Sequence, residues 1–140
     1  MLYPAKREVM EHHSFPDTGI PPAYGPYSHA VVAGDFVFVA GQTARDSATG
    51  LVIEGDIAAQ TTRALHIVRG ILSELGLTLK DVVRVTVFLA DIGDFAAMNR
   101  AYAAEFQPPY PARSTPQVTL PFGALVGIEV TAYRGRRDSA

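Results

Sequence analysis

Residues 82–89 read VVRVTVFL, and this stretch decides the fold class of the chain. Apolar β-branched residues alternate with other types along it, which is the pattern of a strand that buries one face. Alternation places Val83, Val85, Val87 and Leu89 on the buried face. It places Arg84, Thr86 and Phe88 on the opposite face. Because helical patterns precede and follow the stretch, it predicts a sheet that is covered by helices.

Two helical segments flank this strand. The first is capped by Asp56, carries apolar residues at helical spacing over residues 57–75, and stops at Gly76. The second is capped by Asp94 and ends before Pro108, which forbids continuation. Its apolar stripe has spacings of three and four residues and consists of Phe95, Met98, Tyr102 and Phe106. The central part of the chain therefore alternates helix, strand and helix.

Further strand-like segments surround this centre. They are residues 28–33, 36–40, 51–53, 114–120 and 125–134. Gly34-Asp35 joins the first two of these segments as a two-residue hairpin signal. The order β-β-β-α-β-α-β-β predicts an α/β (α+β) fold, in which two helices pack on one face of a single sheet. The opposite face then exposes apolar side chains such as Phe36 or Phe38, and self-association is the simplest cover for them.

Bulk composition indicates one small domain. The chain has 140 residues, of which 48% are hydrophobic and 19% charged, and its net charge is −2. The scattered basic residues predict no nucleic-acid partner, and no apolar run approaches membrane-spanning length. The absence of cysteine excludes disulfides, thiolate zinc sites and cysteine nucleophiles. We predict a cytoplasmic protein with a flexible lead over residues 1–22, one domain over residues 23–137 and a short tail over residues 138–140.

A proline-rich segment with a restricted backbone precedes Arg113. Residues 108–111 contain three prolines, which restrict the backbone before Arg113, and an apolar β-type stretch follows at residues 117–120. A guanidinium held at the mouth of a strand presents a planar fork of donors that matches a carboxylate or a phosphate. A solvated surface arginine after a proline-rich turn explains the pattern equally well. These residues alone leave both interpretations open.

Other polar motifs favour structural roles when each is taken alone. Gly25-Pro26-Tyr27-Ser28 indicates a turn, Gly41-Gln42 a strand end, and Asn99 a structural hydrogen bond. The four histidines lack the spacing of a zinc motif; they are His12, His13, His29 and His66. Nucleophile-elbow, Walker and Rossmann motifs are missing, so phosphoryl and hydride transfer have no support. We predict neither a metal nor a cofactor.

Taken together, the motifs resemble the RidA (YjgF) family of reactive-intermediate deaminases. The similarity runs from about residue 23 to residue 134, and the order and spacing of the motifs agree throughout. The matching residues are Gly25-Pro26-Tyr27-Ser28, Val39-Ala40-Gly41-Gln42, Gly55-Asp56 with Gln60, Asp81-Val82-Val83, Thr86-Val87-Phe88-Leu89, Asp94-Phe95, Asn99, Tyr102, Pro111-Ala112-Arg113-Ser114 and Leu120-Pro121. Each motif is weak by itself, whereas the ordered set is specific.

This resemblance implies a chorismate-mutase-like fold, a homotrimer, and ligand sites in the clefts between subunits. It also implies hydrolysis of enamines or imines, such as 2-aminoacrylate and its imine tautomer, to a 2-keto acid and ammonia, with no cofactor. The carboxylate-binding arginine of the family falls on Arg113 and its site tyrosine falls on Tyr27. Backbone carbonyls or Glu129 are expected to position the water, and Glu129 is the remaining catalytic side chain. Further substrate-binding positions implied by the resemblance are Ala40, Gly41, Asn99 and Gly127.

Two positions depart from the family pattern. Many members with the small-imine activity read Val-Glu-Ile-Glu near the last strand, whereas this chain reads Val-Gly-Ile-Glu over residues 126–129. The glutamate that orients the attacking water in that group is therefore replaced by Gly127. Glu129 points to the same face as residue 127 but lies about 6–7 Å further along the strand. Ala40 stands where many relatives carry serine, so a site hydroxyl is missing.

Both departures enlarge the expected pocket and make it less polar. They predict a bulkier or different substrate, such as an aminomuconate-like acid, weaker catalysis of small imines, or no catalysis. In the last case the protein is a non-catalytic binding module for small carboxylates, which keeps Arg113 and has lost the water-orienting acid.

Overall fold

Six strands form one mixed sheet in the computed structural model of the protein, which describes residues 10–15 and 18–135. The strands are β1 Glu11–His13, β2 Ala30–Ala33, β3 Phe36–Thr43, β4 Val82–Leu89, β5 Ala112–Ser114 and β6 Val126–Tyr133, and the α-helices are α1 Ile57–Glu74 and α2 Phe95–Glu105. The strand order is β1-β2-β3-β6-β4-β5, and every neighbouring pair is antiparallel except β4 and β5. The predicted fold class is confirmed.

Local signals set both ends of α1. The Asp56 carboxylate accepts a hydrogen bond of 2.9 Å from the Ala59 N–H. At the other end, Gly76 has a φ of 73°, and the Leu77 N–H bonds to the Leu72 carbonyl at 2.9 Å. Because glycine adopts this left-handed conformation without steric cost, Gly76 ends the helix as predicted.

The start of α2 differs from the prediction. Asp94 occupies the N-cap position, but its side chain makes no capping hydrogen bond. Instead, the Asp91 carboxylate accepts a bond of 2.8 Å from the Gly93 N–H, within a short 3₁₀ turn that leads into the helix. The apolar stripe of α2 is buried except at its first residue, Phe95, which is 40% exposed.

The hydrophobic core lies between the sheet and α1. Side chains from both layers are fully buried there, and they include Val37, Leu65, Ile71, Val85 and Ile128. α2 packs beside α1, where Glu105 lies 2.7 Å from His66. Since both helices cover one face, the other face leaves Phe36 43% and Phe38 48% exposed, as predicted. In the described part of the chain, no helix is long and apolar enough to span a membrane.

A bulge in β4 overturns part of the predicted alternation. Val82 pairs with Ala132, whereas Arg84 pairs with Thr131, so the register shifts around Val83. Because a bulge adds one residue to its strand, Val82 joins the buried face in place of Val83. Val83 is 36% exposed. The placement of Val83 in the core was therefore wrong, while the remaining positions of the strand follow the prediction.

Two predicted strands are displaced or absent. Residues 51–53 form only an isolated bridge between Val52 and Arg45, because this segment closes a small loop instead of joining the sheet. The strand predicted over residues 114–120 is replaced by β5, which ends at Ser114. Pro116 follows soon after, and proline has no N–H to continue a ladder. Beyond it, only Gln117 forms an isolated bridge, with Leu89.

One strand lies inside the segment that was predicted as a flexible lead. Residues Glu11–His13 form β1, which pairs with β2 at the edge of the sheet. The order of element types is consequently the predicted one, although β1 takes the place of residues 51–53. Residues 1–9, 16 and 17 of the lead, and the predicted tail at 138–140, lie outside the described residues.

Candidate active site

Arg113 lies on β5, the edge strand next to β4. Its register partner is Val85, whose side chain is fully buried beneath the helices. Paired residues on neighbouring strands point to the same face of a sheet, so Arg113 points toward α2. The approach from α2 runs through the proline-rich segment, in which the peptide bond between Pro108 and Pro109 is cis. The strand and the prolines thus place the arginine at the edge of the helix layer.

Side chains of α2 hold the guanidinium of Arg113. Its Nη2 donates a hydrogen bond of 2.7 Å to Oδ1 of Asn99. Its Cζ lies 4.7 Å from the ring centroid of Tyr102 and 5.6 Å from that of Phe95. Contacts between a cation and an aromatic face contribute about 0.5–2 kcal/mol each, depending on desolvation. The amide and the rings therefore restrict the orientation of the guanidinium before any ligand binds.

A cavity of about 300 Å³ opens beside this guanidinium. Its lining consists of Asn99, Tyr102, Ala103, Tyr110, Pro111 and Arg113. Among the described residues, no carboxylate lies within ion-pair distance of Arg113. The cavity therefore combines a largely apolar wall with one cation whose charge no neighbouring side chain balances. This combination suits a small organic anion.

Tyr102 supplies the buried wall of the cavity. Burial raises the pKa of its phenol above the ordinary value of 10.0, and the neighbouring Arg113 charge only partly opposes the rise. The phenol is therefore neutral at physiological pH. Its hydroxyl is buried beside the Arg113 guanidinium, which can only donate, so the phenol proton has no acceptor among the described residues. A buried hydroxyl that donates no hydrogen bond makes Tyr102 a candidate donor to a bound ligand.

Tyr27, Ala40 and Gly41 lie outside the lining of this cavity. Tyr27 is 37% exposed in the turn before β2, where its ring meets the edge of Tyr24 at 5.9 Å. Ala40 and Gly41 occupy the register shift of β3 between Val39 and Gln42. Of the predicted site residues, only Arg113 and Asn99 line the Arg113 cavity of a single chain, where they are joined by a hydrogen bond.

Gly127 and Glu129 lie on the uncovered face of the sheet. Glu129 pairs with Thr86, whose own partner on β5 is Ser114. Because neighbouring positions along a strand face opposite ways, Glu129 and Arg113 point to opposite faces. Gly127 is buried between β3 and β4, where a Cβ would lie 3.4 Å from Cδ2 of Leu120. One chain alone therefore does not bring Glu129 or residue 127 to the Arg113 cavity.

Two of the described histidines, His29 and His66, have structural partners. His29 is buried, where its Nδ1 accepts a bond of 3.1 Å from the Phe15 N–H and its Nε2 donates one of 2.9 Å to the Pro21 carbonyl. His66 joins α1 to Glu105 of α2. Within residues 10–15 and 18–135, no three His, Asp or Glu side chains lie close enough together to hold a metal ion.

The sequence did not mark Tyr102 or Tyr110 as residues of the Arg113 cavity, nor Arg45 as a buried cation elsewhere in the molecule. Tyr102 was placed in the apolar stripe of a helix, and helical spacing does not separate a core position from a cavity wall. Tyr110 was taken only as part of the proline-rich approach, although it lines the cavity. Arg45, which is only 5% exposed, was not singled out at all. No sequence signal marked Arg45, because its burial depends on contacts with residues about twenty positions earlier.

Comparison with known proteins extends over nearly the whole domain. Residues 18–134 match the family described as Endoribonuclease L-PSP. A RutC family protein of Pyrococcus abyssi is 45% identical over 115 residues, which cover 81% of this chain and 91% of that protein. A 2-iminobutanoate/2-iminopropanoate deaminase of Capra hircus is 40% identical over 121 residues, which cover 86% of this chain and 88% of that protein. The crystal structure of the YjgF gene product of E. coli superposes with a TM-score of 0.81 at 35% identity, covering 89% of this chain and 98% of that chain.

Proposed function

Because this chain belongs to the Endoribonuclease L-PSP family, which includes the RidA (YjgF) proteins, we propose that it hydrolyses imine or enamine carboxylates to 2-keto acids and ammonia. One observation carries the proposal. The guanidinium of Arg113 borders a cavity and has no carboxylate partner among the described residues. The substrate carboxylate supplies that partner.

Arg113 anchors the carboxylate in this proposal. Asn99 accepts a hydrogen bond from Nη2 of the guanidinium, and Tyr102 covers one face of the group. The other guanidinium N–H groups are left for the ligand. A guanidinium edge binds a carboxylate through two parallel hydrogen bonds, which fixes both the position and the plane of the ligand. The imine carbon next to that carboxylate is thereby held at a defined distance from the cavity wall.

The chemistry needs few protein groups. An enamine first tautomerises to the imine, whose carbon is electrophilic, especially when its nitrogen is protonated. Water adds to this carbon, forming a C–O bond and a tetrahedral amino alcohol. A proton then moves to nitrogen, the C–N bond breaks, and ammonia leaves as the keto C=O forms. A group that positions the water and moves these protons accelerates both steps.

The groups that position the water and transfer protons come from a second subunit. Tyr27, Ala40, Gly41, Gly127 and Glu129 lie away from the Arg113 cavity of their own chain. We assign Tyr27 and Glu129 to water positioning and proton transfer, and the other three to the pocket wall, in a cleft shared between subunits of a homotrimer. The uncovered sheet face, where Phe36 and Phe38 are exposed, supports this association.

A homotrimer predicts a solution mass near three times the 15.0-kDa chain at micromolar concentration. Phe38→Glu places a charge on the exposed apolar face and should lower the mass and the rate of ammonia release together. Ile92→Glu is the matched control, because Ile92 is 49% exposed but lies off the sheet, and it should change neither. Light scattering checks the prediction, and a monomer mass for the wild-type protein would remove the shared cleft.

The absent acid at residue 127 bears on the choice of substrate. Gly127 leaves space where the water-orienting glutamate of many relatives lies, so we propose that this protein prefers an imine larger than 2-iminopropanoate. The same observation favours a second candidate function, non-catalytic binding of small carboxylates.

The proposed hydrolysis requires no cofactor. The cytoplasmic location and the absence of a nucleic-acid partner stay predictions from composition.

Ammonia release across a panel of enzymatically generated imines separates the two functions. The panel increases in size from 2-iminopropanoate through 2-iminobutanoate to an aromatic 2-imino acid. We expect catalysis above the spontaneous rate, with the highest kcat/KM for a larger member. Binding of the matching 2-keto acids without acceleration of any imine would contradict the enzymatic function and establish the binding function.

A further inference from the structure

A second cavity of about 280 Å³ lies apart from the one at Arg113. Its lining consists of Tyr24, Arg45, Gly50, Leu51, Val52 and Phe122, none of which lines the first cavity. We propose that this Arg45 cavity binds an aromatic carboxylate, whose anionic group pairs with the guanidinium of Arg45. The Arg45 cavity shares no lining residue with the Arg113 cavity, although its Tyr24 wall contacts Tyr27.

Arg45 is a largely buried cation that has no counterion among the described residues. It is 5% exposed, and its Nη2 donates a hydrogen bond to the Pro22 carbonyl. Among the described residues, no carboxylate lies within ion-pair distance of it. Its Nε and Nη1 groups have no hydrogen-bond partner among those residues, but they keep contact with solvent and are therefore open to a ligand. Buried charges in proteins are normally paired, because an unpaired charge is costly to remove from water. An anionic ligand provides the missing partner.

The surrounding charges strengthen this need. The nearest acid in sequence is Asp46, but its Oδ1 accepts hydrogen bonds of 2.8 Å from the Ala48 N–H and 2.9 Å from the Thr49 N–H. These backbone bonds hold the pKa of Asp46 below its ordinary value and commit the carboxylate to the turn. Arg63 adds a second cation, since its Nε donates a bond of 2.9 Å to the Arg45 carbonyl. Asp46 partly balances the charge of Arg63, which also lowers the pKa of that carboxyl, and leaves Arg45 without an ion-pair partner among the described residues.

Aromatic side chains form the walls of the Arg45 cavity. The guanidinium carbon of Arg45 lies 4.4 Å from the ring centroid of Tyr24, and the Phe122 ring meets that of Tyr24 at 5.4 Å. Phe122 is 76% exposed and has a φ of 57°, a left-handed conformation that is uncommon for a bulky residue. Such strain at an exposed aromatic residue is characteristic of functional positions.

The shape of the Arg45 cavity fits a flat acid. Tyr24 covers one face of the guanidinium, so a ligand reaches it along the edge, where a carboxylate binds with two hydrogen bonds. Gly50 lies beside that edge, because a Cβ at this position would be in van der Waals contact with Nη1 of Arg45 at 3.9 Å. Leu51, which is 69% exposed, and Phe122 then offer apolar surface to the ring of the ligand.

Titration of the full-length, ¹⁵N-labelled protein with benzoate tests this site. Acetate lacks the ring and benzamide lacks the charge, so both should bind at least about tenfold more weakly than benzoate. Benzoate should shift the amide signals of Gly50, Leu51 and Val52. Arg45→Gln should weaken benzoate binding by at least about tenfold, whereas Arg113→Lys should leave these shifts unchanged.

A second variant covers the case in which Arg45→Gln does not fold. Phe122→Gly suits the positive φ and alters an exposed side chain, so it should fold and weaken benzoate binding severalfold. The proposal is overturned if benzoate does not bind, if benzamide binds equally well, or if the shifts cluster at Asn99 and Ala103. It is also overturned if both Phe122→Gly and a folded Arg45→Gln bind benzoate like the wild type.

Discussion

Arg113→Lys should weaken the binding of a small 2-keto acid by roughly ten- to a hundredfold, although the substitution keeps the positive charge. Lysine presents a point charge and cannot reproduce the two parallel hydrogen bonds of a guanidinium. It also loses the bond of 2.7 Å to Asn99 and the planar stack on Tyr102, so the remaining cation is less well oriented. The loss of one charge-assisted hydrogen bond costs about 1.5–3 kcal/mol, which corresponds to this range.

Calorimetric titration of 2-oxobutanoate into both proteins measures this effect. Arg100→Lys is the matched control, because Arg100 is an exposed arginine on α2 next to Asn99 and does not line the cavity. The control should bind like the wild type. Equal affinities for Arg113→Lys and the wild type would rule out Arg113 as the carboxylate anchor, and with it the role of the cavity.

Gly127→Glu should raise kcat/KM for 2-iminopropanoate by at least about tenfold. A well-placed acid or base contributes about 10²–10⁴-fold, and incomplete support from neighbouring residues reduces that gain. The backbone accepts a side chain here, since a Cβ at residue 127 would lie 3.4 Å from Leu120 Cδ2 and 3.7 Å from Thr43 Cγ2. The same change fills the pocket, so activity on a bulkier imine should fall.

Gly127→Gln separates the carboxylate from its bulk. Glutamine has nearly the same size as glutamate but does not accept a proton from water, so it should lose the bulky substrate without gaining the small one. Both variants are compared as folded proteins in the oligomeric state of the wild type, because a buried carboxylate also costs stability. Equal rates for the Glu and Gln variants on 2-iminopropanoate would show that the missing acid does not limit the proposed hydrolysis.

Local signals were sufficient for much of the fold. Asp56 and Gly76 mark the ends of α1 through their own side chain and backbone conformation, which are properties of short segments. The bulge at Val83 and the strand β1 were missed because both depend on pairing with distant strands. Glu11–His13 has no apolar period, and its place in the sheet is set by hydrogen bonds to β2. Alternation alone does not report such long-range pairing.

The polar residues of the candidate site were predictable from the sequence, whereas its aromatic wall and the orientations of its side chains were not. The prolines before Arg113 drew attention to it but left a carboxylate anchor and a solvated arginine equally open, and the resemblance to a family favoured the anchor. Asn99 by itself indicated a structural hydrogen bond, and it makes one with Arg113. Tyr102 was named in the apolar stripe and among the family motifs but was not predicted as a site residue, because an aromatic residue at helical spacing looks the same in a core and in a cavity wall. The opposite orientations of Arg113 and Glu129 follow from strand register, which the residue pattern does not reveal.

The most direct test of the account is the rate of ammonia release from a 2-imino acid by three proteins at equal concentration: wild type, Arg113→Lys and Arg100→Lys. We expect wild type and Arg100→Lys to accelerate hydrolysis equally above the spontaneous rate. We expect Arg113→Lys to lose roughly ten- to a hundredfold in kcat/KM, since its anchor is weakened in the transition state as well. Equal acceleration by all three proteins, or none by the wild type on any imine of the panel, would contradict an imine hydrolase anchored at Arg113.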